Sequence, residues 1–510
     1  MGAPVSLLQS ARAFARDYPR DEMPGGFLWD VADYVPTVID ANLTGRGAWL
    51  YGSTDCGSDV MSGILATFFS GDKLLVTTVN NRWLEVSTSS PYTATDRGTA
   101  LTALQNPIQF VDTVVLPDGA GAAVPQLITA PGGTFTAANA NVGGKHPKYA
   151  CVYKGRLVTG GDPSELNVVR FSVPGFALTD ASSYDTLSYI PTSQEVTALA
   201  SLRAVILVFH KGAVERIRGN TPPFTAPTGS TDPNAGLGDM FLEPLFDRNG
   251  CADPKTIAYW QENVIFADEH GVQMTDGAII RNLVSQGGIL TYWRNAYAGK
   301  TSMSGGVFLD YYLITINYAS GPSTTLVCDL NRRQWFRLTN VPASTYIVSS
   351  GGASIERLWA GMVGTHKLGR LGPIFFPDPT TTPQVDDNGI PVLPTFETSW
   401  YRLIFGRALG HRLMREEGRS RVKFAYLSYD ARLASITPNV LSLGYITSPQ
   451  DTTYVPAGNF PSSSEYTRFR LPIGEFPYGI AFKVTQTQPT SALRVFDLGI
   501  EYTPSERSRV

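Results

Sequence analysis

The side chains best suited to chemistry in this sequence are five histidines and four cysteines. The histidines are His146, His210, His270, His366 and His411, and no two of them have the spacing of metal ligands. The cysteines are Cys56, Cys151, Cys251 and Cys328, so the chain has no CxxC motif for zinc or redox chemistry. They are predicted to be buried as small apolar side chains, with a disulfide between distant strands as the open alternative.

Short catalytic and nucleotide-binding motifs are also missing. The sequence has no Walker loop, no GxGxxG after a strand, no HExxH and no GxSxG. Asp268-Glu269-His270 is predicted to be a solvated hairpin turn. Asp386-Asp387-Asn388-Gly389 lacks the glutamate that a calcium loop needs. We therefore predict a protein that is not an enzyme and has no catalytic residue, metal site or cofactor.

One dense cluster of charge stands out near residue 400. Its arginines form a candidate interface with another subunit or partner: Arg402, Arg407, Arg412, Arg415, Arg419 and Arg421. Arginine favours bidentate contacts with specific partners more than lysine does. The alternatives are a solvated loop with internal Glu–Arg pairs, or a basic collar near nucleic acid phosphates. Residues 408–420 are predicted to form a short helix or an irregular loop.

The overall charge and composition limit the other classes of function. The net charge of −3 gives no electrostatic reason to expect an autonomous nucleic-acid binder. The sequence has no uninterrupted apolar stretch of about 18 residues, so no membrane insertion of the monomer is expected. Only 17% of residues are charged, while Gly (49) and Pro (35) are frequent. This composition favours short strands joined by tight turns.

Strand-and-turn units recur through residues 46–376. Clear examples are 149–161, 196–218 and 250–277, in which an apolar strand, a polar turn with Gly and a second strand follow one another. At roughly 40–50 residues per blade, this region gives about seven degenerate blades of a β-propeller. A stacked array of sandwiches is the alternative.

The predicted fold is therefore all-β, a β-propeller followed by a small C-terminal β-sandwich. We predict an N-terminal arm over residues 1–45, the propeller over 46–376, a Pro/Thr-rich linker over 377–395 and the sandwich over 396–510. The arm either packs as a strap across the main domain or docks on a neighbouring subunit.

The propeller region resembles a known family. Its Gly155–Gly161 strand leads into Ser164–Ser172, and Val196–Leu199, Val205–Ile217, Gly250–Ile257 and Val264–Gln273 follow in the same order. This order is similar to the propeller-bearing tail proteins of short-tailed double-stranded DNA phages, the tail nozzle or tail-hub proteins. The segment Arg46–Tyr51 and the arginine-rich start of the C-terminal domain fit the same pattern.

The resemblance implies a structural virion protein and no active site. It implies a homo-oligomeric ring, as a hexamer, at the distal part of the tail below the head-to-tail adaptor, bound to tail fibre or needle proteins. Phage DNA would pass through the lumen during ejection without its sequence being read. The virion part would be assembled in the host bacterial cytoplasm. The alternative function is a propeller-type adhesin that recognises a host surface glycan.

Overall fold

The computed structural model is all-β apart from a few short helical segments in the described residues. It describes residues 5–6, 15–17, 28–36, 43–45, 51–69, 71–87, 93–99, 107–118, 124–128, 137–139, 142–175, 178–226, 228, 230–231, 235–339, 341–350, 356–370, 386–387, 390–391, 395–398, 401–402, 404–409, 412–417, 420–430, 441–448, 450–460, 466–470, 475–476, 479–486 and 494–504.

The strands are numbered in chain order, and the first group precedes the propeller blades. It comprises β1 (Val5–Ser6), β2 (Leu28–Ala32), β3 (Tyr34–Pro36), β4 (Leu43–Gly45) and β5 (Tyr51–Asp55). Blades 1 to 3 then comprise β6 (Val60–Phe68), β7 (Gly71–Thr78), β8 (Arg82–Val86), β9 (Ala94–Thr99); β10 (Ile108–Phe110), β11 (Thr113–Leu116), β12 (Gln126–Ile128), β13 (Ala137–Asn139); and β14 (Tyr149–Tyr153), β15 (Arg156–Asp162), β16 (Glu165–Ser172), β17 (Tyr184–Pro191).

Blades 4 to 7 continue the same arrangement. They comprise β18 (Ala198–Ser201), β19 (Val205–Phe209), β20 (Val214–Arg218), β21 (Phe241–Phe246); β22 (Ala258–Trp260), β23 (Asn263–Asp268), β24 (Gly271–Thr275), β25 (Ile280–Asn282); β26 (Lys300–Phe308), β27 (Tyr311–Tyr318), β28 (Thr324–Asp329), β29 (Gln334–Leu338); and β30 (Ala343–Ser350), β31 (Glu356–Met362), β32 (Lys367–Arg370). Helices α1 (Leu283–Gln286) and α2 (Leu290–Ala298) lie between blades 5 and 6, and 3-10 turns cover Ala181–Ser183 and Pro254–Thr256.

These strands form a seven-bladed β-propeller. Each blade is an antiparallel meander whose four strands pair in chain order, except that blade 7 takes its fourth strand, β5, from the N-terminal side. The first strand of a blade contacts the first strand of the next from blade 1 to blade 4, and again from blade 5 through blade 7 to blade 1, where β30 meets β6. Blades 4 and 5 are joined by the amide of Ser201, which donates to Tyr259 Oη at 3.2 Å. The prediction of a propeller with about seven blades is confirmed.

Apolar side chains fill the spaces between neighbouring blades. Phe209 of blade 4 and Phe266 of blade 5 are both fully buried and meet edge to face, with ring centroids 4.9 Å apart. The blade strands carry continuous buried runs such as Val205–Phe209 because both faces of each blade are covered by its neighbours. The four cysteines are buried and free, as predicted.

The second domain is built from two main sheets, which use strands from both ends of the chain, and two separate two-stranded hairpins. Its C-terminal strands are β33 (Asp386–Asp387), β34 (Ile390–Pro391), β35 (Thr395–Thr398), β36 (Tyr401–Arg402), β37 (Ile404–Leu409), β38 (Arg412–Glu417), β39 (Ser420–Asp430), β40 (Leu441–Ile446), β41 (Val455–Phe460), β42 (Tyr466–Arg470), β43 (Glu475–Phe476), β44 (Gly479–Gln486) and β45 (Arg494–Pro504). One sheet has the order β3-β4-β45-β39-β42, and the other continues β2-β35-β44-β40-β41.

The second sheet is continuous with the propeller. Strand β2 pairs in parallel with β29, the outer strand of blade 6, and antiparallel with β35. A single ten-stranded sheet therefore runs from blade 6 into the second domain. Buried side chains on both sides of this junction, such as Leu313 and Phe482, belong to one hydrophobic cluster.

The described residues of the predicted N-terminal arm, 1–45, pair with strands of the second domain and of blade 6. Strands β2, β3 and β4 lie inside the sheets of the second domain and do not form an independent segment. Local sequence could not reveal this, because the partners of these strands lie hundreds of residues away. The predicted linker, 377–395, contributes the small hairpin of β33 and β34 among its described residues.

An ion pair and a buried carboxylate hold β2 and the residue after it against blade 6. Asp30 lies 2.9 Å from both Arg16 and Arg337. Asp33 is buried, with φ of 60°, and accepts a 2.9 Å hydrogen bond from the amide of Thr339. These contacts fix the junction from the N-terminal side.

Residues 15–17 bind helix α2 from outside its own sequence. The Asp17 carboxylate accepts hydrogen bonds from the amides of Leu290 (2.6 Å) and Thr291 (2.7 Å), at the N-terminus of the helix. The residue before the helix, Ile289, provides no side-chain cap. The carboxylate therefore does the work of an N-cap, where negative charge is favourable.

Replacing Asp17 with alanine is expected to lower the free energy of unfolding by about 1 kcal/mol, because two helix amides lose their acceptor. Urea unfolding followed by circular dichroism measures the change. Asp17→Asn should lose less, since its amide oxygen still accepts. Glu262→Ala, at a position whose side chain is 85% exposed, is the control and should change little. Equal losses for Asp17→Ala and the control would contradict the capping role.

Candidate functional site

The axis of the propeller is a channel lined by the first strands of blades 2 to 7. Its walls are apolar and aromatic, with Ile108, Tyr149 and Leu199 on one side and Tyr259 and Tyr346 on the other. A smaller space of about 160 Å³ lies against blades 2 to 5. No group of three or more potential metal ligands occurs in the described ranges.

A lysine closes one end of this channel. Lys255 precedes the first strand of blade 5, and its Nζ donates to the carbonyl oxygen of Met61, at the start of blade 1, at 2.8 Å. Blades 5 and 1 are separated by two others, so this side chain reaches across the channel. Asp253 positions it, accepting from the amides of Lys255 and Met303 at 3.0 Å each.

The charge of Lys255 is disfavoured where it lies. Burial lowers the pKa of its ammonium group, and the negative charge of Asp253 opposes this only in part. Because the folded protein lowers this pKa, the folded state is penalised where Lys255 is charged. The protein is therefore most stable with respect to this group above the usual lysine pKa of 10.5, and it loses that stability as pH falls through the lowered pKa. At neutral pH the ammonium therefore costs stability while it closes the channel.

Replacing Lys255 with methionine is expected to raise the unfolding free energy by about 1 kcal/mol near neutral pH, because a desolvated charge is removed at nearly constant volume. The gain over wild type should shrink as pH rises towards 10.5, where wild type also becomes neutral at this position. Paired urea titrations at about pH 7 and about pH 10 test this. If the stability gain of Lys255→Met grew with pH, the charge of Lys255 would be stabilising and the prediction would be wrong.

The opposite end of the channel opens into a concave mouth. Here the turns between the first and second strands of the blades form what we call the hairpin face. A space of about 670 Å³ is lined by Tyr259, Trp260, Leu309, Asp310 and Val348, among others. Trp260 Nε1 donates to Asp310 Oδ1 at 3.1 Å, which joins the turns of blades 5 and 6.

The inner walls of this mouth approach closely. A Cβ atom on Gly306 would lie 2.6 Å from Cβ of Tyr346, so glycine allows the first strands of blades 6 and 7 to pack together. Tyr346 Oη is 2.6 Å from the hydroxyl of Thr315, and burial raises the pKa of Tyr346 above its usual value. The phenol is therefore held neutral and fixed.

Apolar side chains project from the tips of the hairpin face. Phe69 is 92% exposed and Val111 is 67% exposed. Val111 and Leu309 have φ of 53°, a left-handed conformation that is unfavourable for β-branched and bulky residues. Turns of this type usually carry Gly, Asn or Asp at such positions, so the aliphatic side chains are not explained by turn formation.

The predicted arginine cluster lies elsewhere, at the start of the second domain. Arg402 is in β36, Arg407 in β37, Arg412 and Arg415 in β38, and Arg421 in β39, whereas Arg419 lies outside the described residues. Strands β37 and β38 pair as an antiparallel hairpin, so the helix or irregular loop predicted over 408–420 is wrong for the described residues there. The backbone brings Arg407 and Arg415 onto adjacent strands of this hairpin.

Asp268 also differs from its prediction as part of a solvated turn. It is 4% exposed, and its carboxylate accepts from the amide of His270 (2.8 Å) and from Gln273 Nε2 (3.3 Å). Burial raises the pKa of Asp268, although these hydrogen bonds act in the opposite direction. The turn is therefore anchored by a buried acid.

Sequence reasoning did not select the residues of the channel. Lys255, Tyr259 and Asp310 come together only through the closed ring, so no local spacing marks them. One usable signal was present: the tips Val111-Asp112 and Leu309-Asp310 place a large aliphatic residue where a tight turn usually has Gly or Asn.

By its sheets and ring contacts, the chain belongs to the architectural class of seven-bladed β-propellers, with a β-sandwich joined to the propeller by a shared sheet. No protein-family model matches it, and no curated protein matches it. Among solved structures, one that is similar is the crystal structure of the RRP9 WD40 repeats. The match has a TM-score of 0.37 and 12% sequence identity, and covers 65% of this chain and 92% of the other. The assignment of the fold rests on the sheets themselves.

No helix among the residues that the structure describes has the length and apolar character to cross a membrane.

Proposed function

We propose that this protein is a structural, non-enzymatic subunit of a phage tail, a nozzle or hub protein that forms a homo-oligomeric ring, as a hexamer, at the distal part of the tail. Its lumen would line the DNA ejection path. The head-to-tail adaptor and tail fibre or needle proteins are its partners in this proposal, and the virion is its location.

The observation that carries the proposal is the ten-stranded sheet shared by propeller and second domain. Strand β2 is paired on both edges, and Asp30 bridges Arg16 and Arg337 across the same junction. Strand β2 pairs with β29 only at Ala32 and Arg337, but bending at this junction would also break the Asp30 ion pairs and expose the common core. The two domains therefore form one stiff block. A stiff subunit suits a ring whose central opening must keep its diameter while DNA is ejected through it.

The axis of the propeller itself is a poor path for a duplex. Lys255 crosses it to Met61, and a cation at this position would attract phosphates. In the proposed ring, DNA therefore passes through the space between subunits. The net charge of −3 agrees with a wall that does not retain the passing duplex.

Mass photometry and negative-stain images of the purified full chain test the proposal. Six-fold rings with an open lumen are expected, with little binding of a linear duplex at physiological salt. A monomer at all concentrations, or a ring that binds duplex tightly, would reject the nozzle proposal.

A propeller-type adhesin remains the second candidate, favoured by the exposed aromatic side chain of Tyr259, which lies beside Trp260 at the channel mouth. A glycan stacks its apolar face on such rings. Binding of purified host polysaccharide by a protein that stays monomeric would favour this function over the nozzle.

A further inference from the structure

We infer that the mouth on the hairpin face is a docking site for an extended segment of a partner protein that carries an apolar side chain next to a lysine or arginine. The site goes beyond the proposed ring, because it lies on the propeller axis and would be filled by another protein. Three features of the described residues carry the inference: the socket, its charge and its rim.

The socket has the size and chemistry of a ligand-binding pocket. Its space of about 670 Å³ is bounded by the rings of Tyr259, Trp260 and Tyr346 and by the aliphatic Val348. Aromatic walls with a few polar groups are typical of sites that bind apolar ligands. At its back wall the two inner strands pack closely at Gly306 and Tyr346, and the Tyr346 hydroxyl is hydrogen-bonded to Thr315 at 2.6 Å.

The charge of the socket favours a cationic neighbour. Asp310 is the charged residue in its lining, and its carboxylate is held in place by Trp260 Nε1 at 3.1 Å. Only one of the acceptor positions on that carboxylate is used by this bond, and a carboxylate can accept several. An ammonium or guanidinium could bind Asp310 and lie against the face of Trp260 or Tyr259.

The rim is formed by the tips of blades 1 and 2, which lie on the same hairpin face as the socket but outside its lining, and which hold apolar side chains exposed. The amide of Phe69 donates to Asp112 Oδ1 at 2.7 Å, and Gln109 Nε2 donates to the carbonyls of Thr67 (3.2 Å) and Val111 (2.6 Å). These bonds tie the tips of blades 1 and 2 together. Strained backbone at an exposed aliphatic residue, as at Val111, is a mark of function more than of folding.

The ring of Tyr259 alone could stack on a sugar, but the apolar side chains around it favour a peptide over a glycan as the occupant of this site. Phe69, Val111, Leu309 and Val348 would cover the hydroxyl groups of a sugar without offering hydrogen bonds, at a cost in desolvation. A peptide with an apolar side chain gains from that contact, and its neighbouring cation gains from Asp310.

Binding of two amidated, acetylated peptides to the full chain tests the inference. The probes are Arg-Leu-Arg-Phe-Lys and its acidic counterpart Glu-Leu-Glu-Phe-Asp, followed by calorimetry and by the fluorescence of the protein's tryptophans. The cationic peptide is expected to bind at least about tenfold more tightly than the acidic one. Asp310→Asn should remove most of that preference, and Phe69→Ser should weaken the cationic peptide several-fold.

The matched control is Val79→Ser. Val79 is 53% exposed and follows the second strand of blade 1, on the opposite face, so its loss should leave peptide binding unchanged. Equal affinity for both peptides, or no effect of Asp310→Asn, would overturn the inference. Two other outcomes would also overturn it: self-association abolished by Phe69→Ser, or polysaccharide binding abolished by Asp310→Asn. Ring formation is measured separately on the same variants. If no ring forms, the peptide-binding result can still be interpreted.

Discussion

Glu215→Ala is expected to lower the free energy of unfolding by about 3–5 kcal/mol, because it breaks a buried hydrogen-bonded His–Glu pair and leaves the imidazole without its partner. His210 is fully buried and Glu215 is 6% exposed. The two side chains meet at 2.9 Å, through Nε2 of the imidazole and Oε2 of the carboxylate.

The geometry also fixes where the protons lie. Nδ1 of His210 is 2.8 Å from the carbonyl oxygen of Glu195, which can only accept, so Nδ1 carries a hydrogen. Nε2 then faces a carboxylate oxygen, and one more proton must lie between them. The pair is thus an imidazolium with a carboxylate, or a neutral imidazole with a carboxylic acid, and in either state the hydrogen bond is a strong one.

Urea unfolding with Glu215→Gln as the control separates the two parts of this effect. Glutamine keeps the volume and an acceptor for Nε2–H, so its loss should be about half that of alanine. The pair joins the connection after blade 3 to the second turn of blade 4, because Glu215 also accepts from the amide of Ser193 at 3.3 Å. A loss below about 1 kcal/mol for the alanine variant would show that the pair does little for stability.

Trp335→Ala should be similarly severe, with a loss of about 3–5 kcal/mol of unfolding free energy. Trp335 is fully buried on β29, the blade 6 strand that carries the junction, and its Nε1 donates to the carbonyl oxygen of Leu283 at 3.0 Å. A Cβ atom on Gly287 would lie 2.2 Å from Cδ1 of the ring, so the helix end and the indole fit closely. Truncation leaves a cavity and removes one of the two donors to the Leu283 carbonyl, which also accepts from the amide of Gly287 at 3.0 Å.

The same unfolding measurement includes two comparisons. Trp335→Phe keeps most of the packing and should lose less than half as much. Trp260→Ala, at the partly exposed channel mouth, should stay within about 1 kcal/mol of wild type. Comparable losses at Trp335 and Trp260 would contradict the assigned role of the buried ring.

Local pairings were predictable from the sequence because a hairpin needs only alternating side chains and a suitable turn. Strand β23 and strand β24, for example, lie within one short stretch and were recognised. The closing strand β5 and the junction strand β2 were not, since their partners Leu368 and Phe396 are separated from them by more than three hundred positions. Alternation of apolar and polar residues with a period of two shows that a segment can form a strand, but it does not identify the strand with which that segment pairs.

The candidate site was less accessible for the same reason. Trp260 belongs to blade 5 and Asp310 to blade 6, so the two side chains meet only when these blades pack side by side. The arginine cluster was visible because its residues are neighbours in sequence, yet the backbone there turned out to be a hairpin. Charged and turn-forming residues are compatible with either a loop or an exposed hairpin, so composition could not decide.

The closing strand has a consequence for biosynthesis. Strand β5 leaves the ribosome early, but its partner β32 follows only after six blades have been made. The hairpin of β3 and β4 can join its sheet only later still, because β4 pairs with Arg494 and Val495 of the last strand, β45. The nascent chain must therefore keep several edges unpaired until translation is nearly finished. A prematurely terminated product would keep those edges exposed, which makes it a substrate for chaperones and proteases.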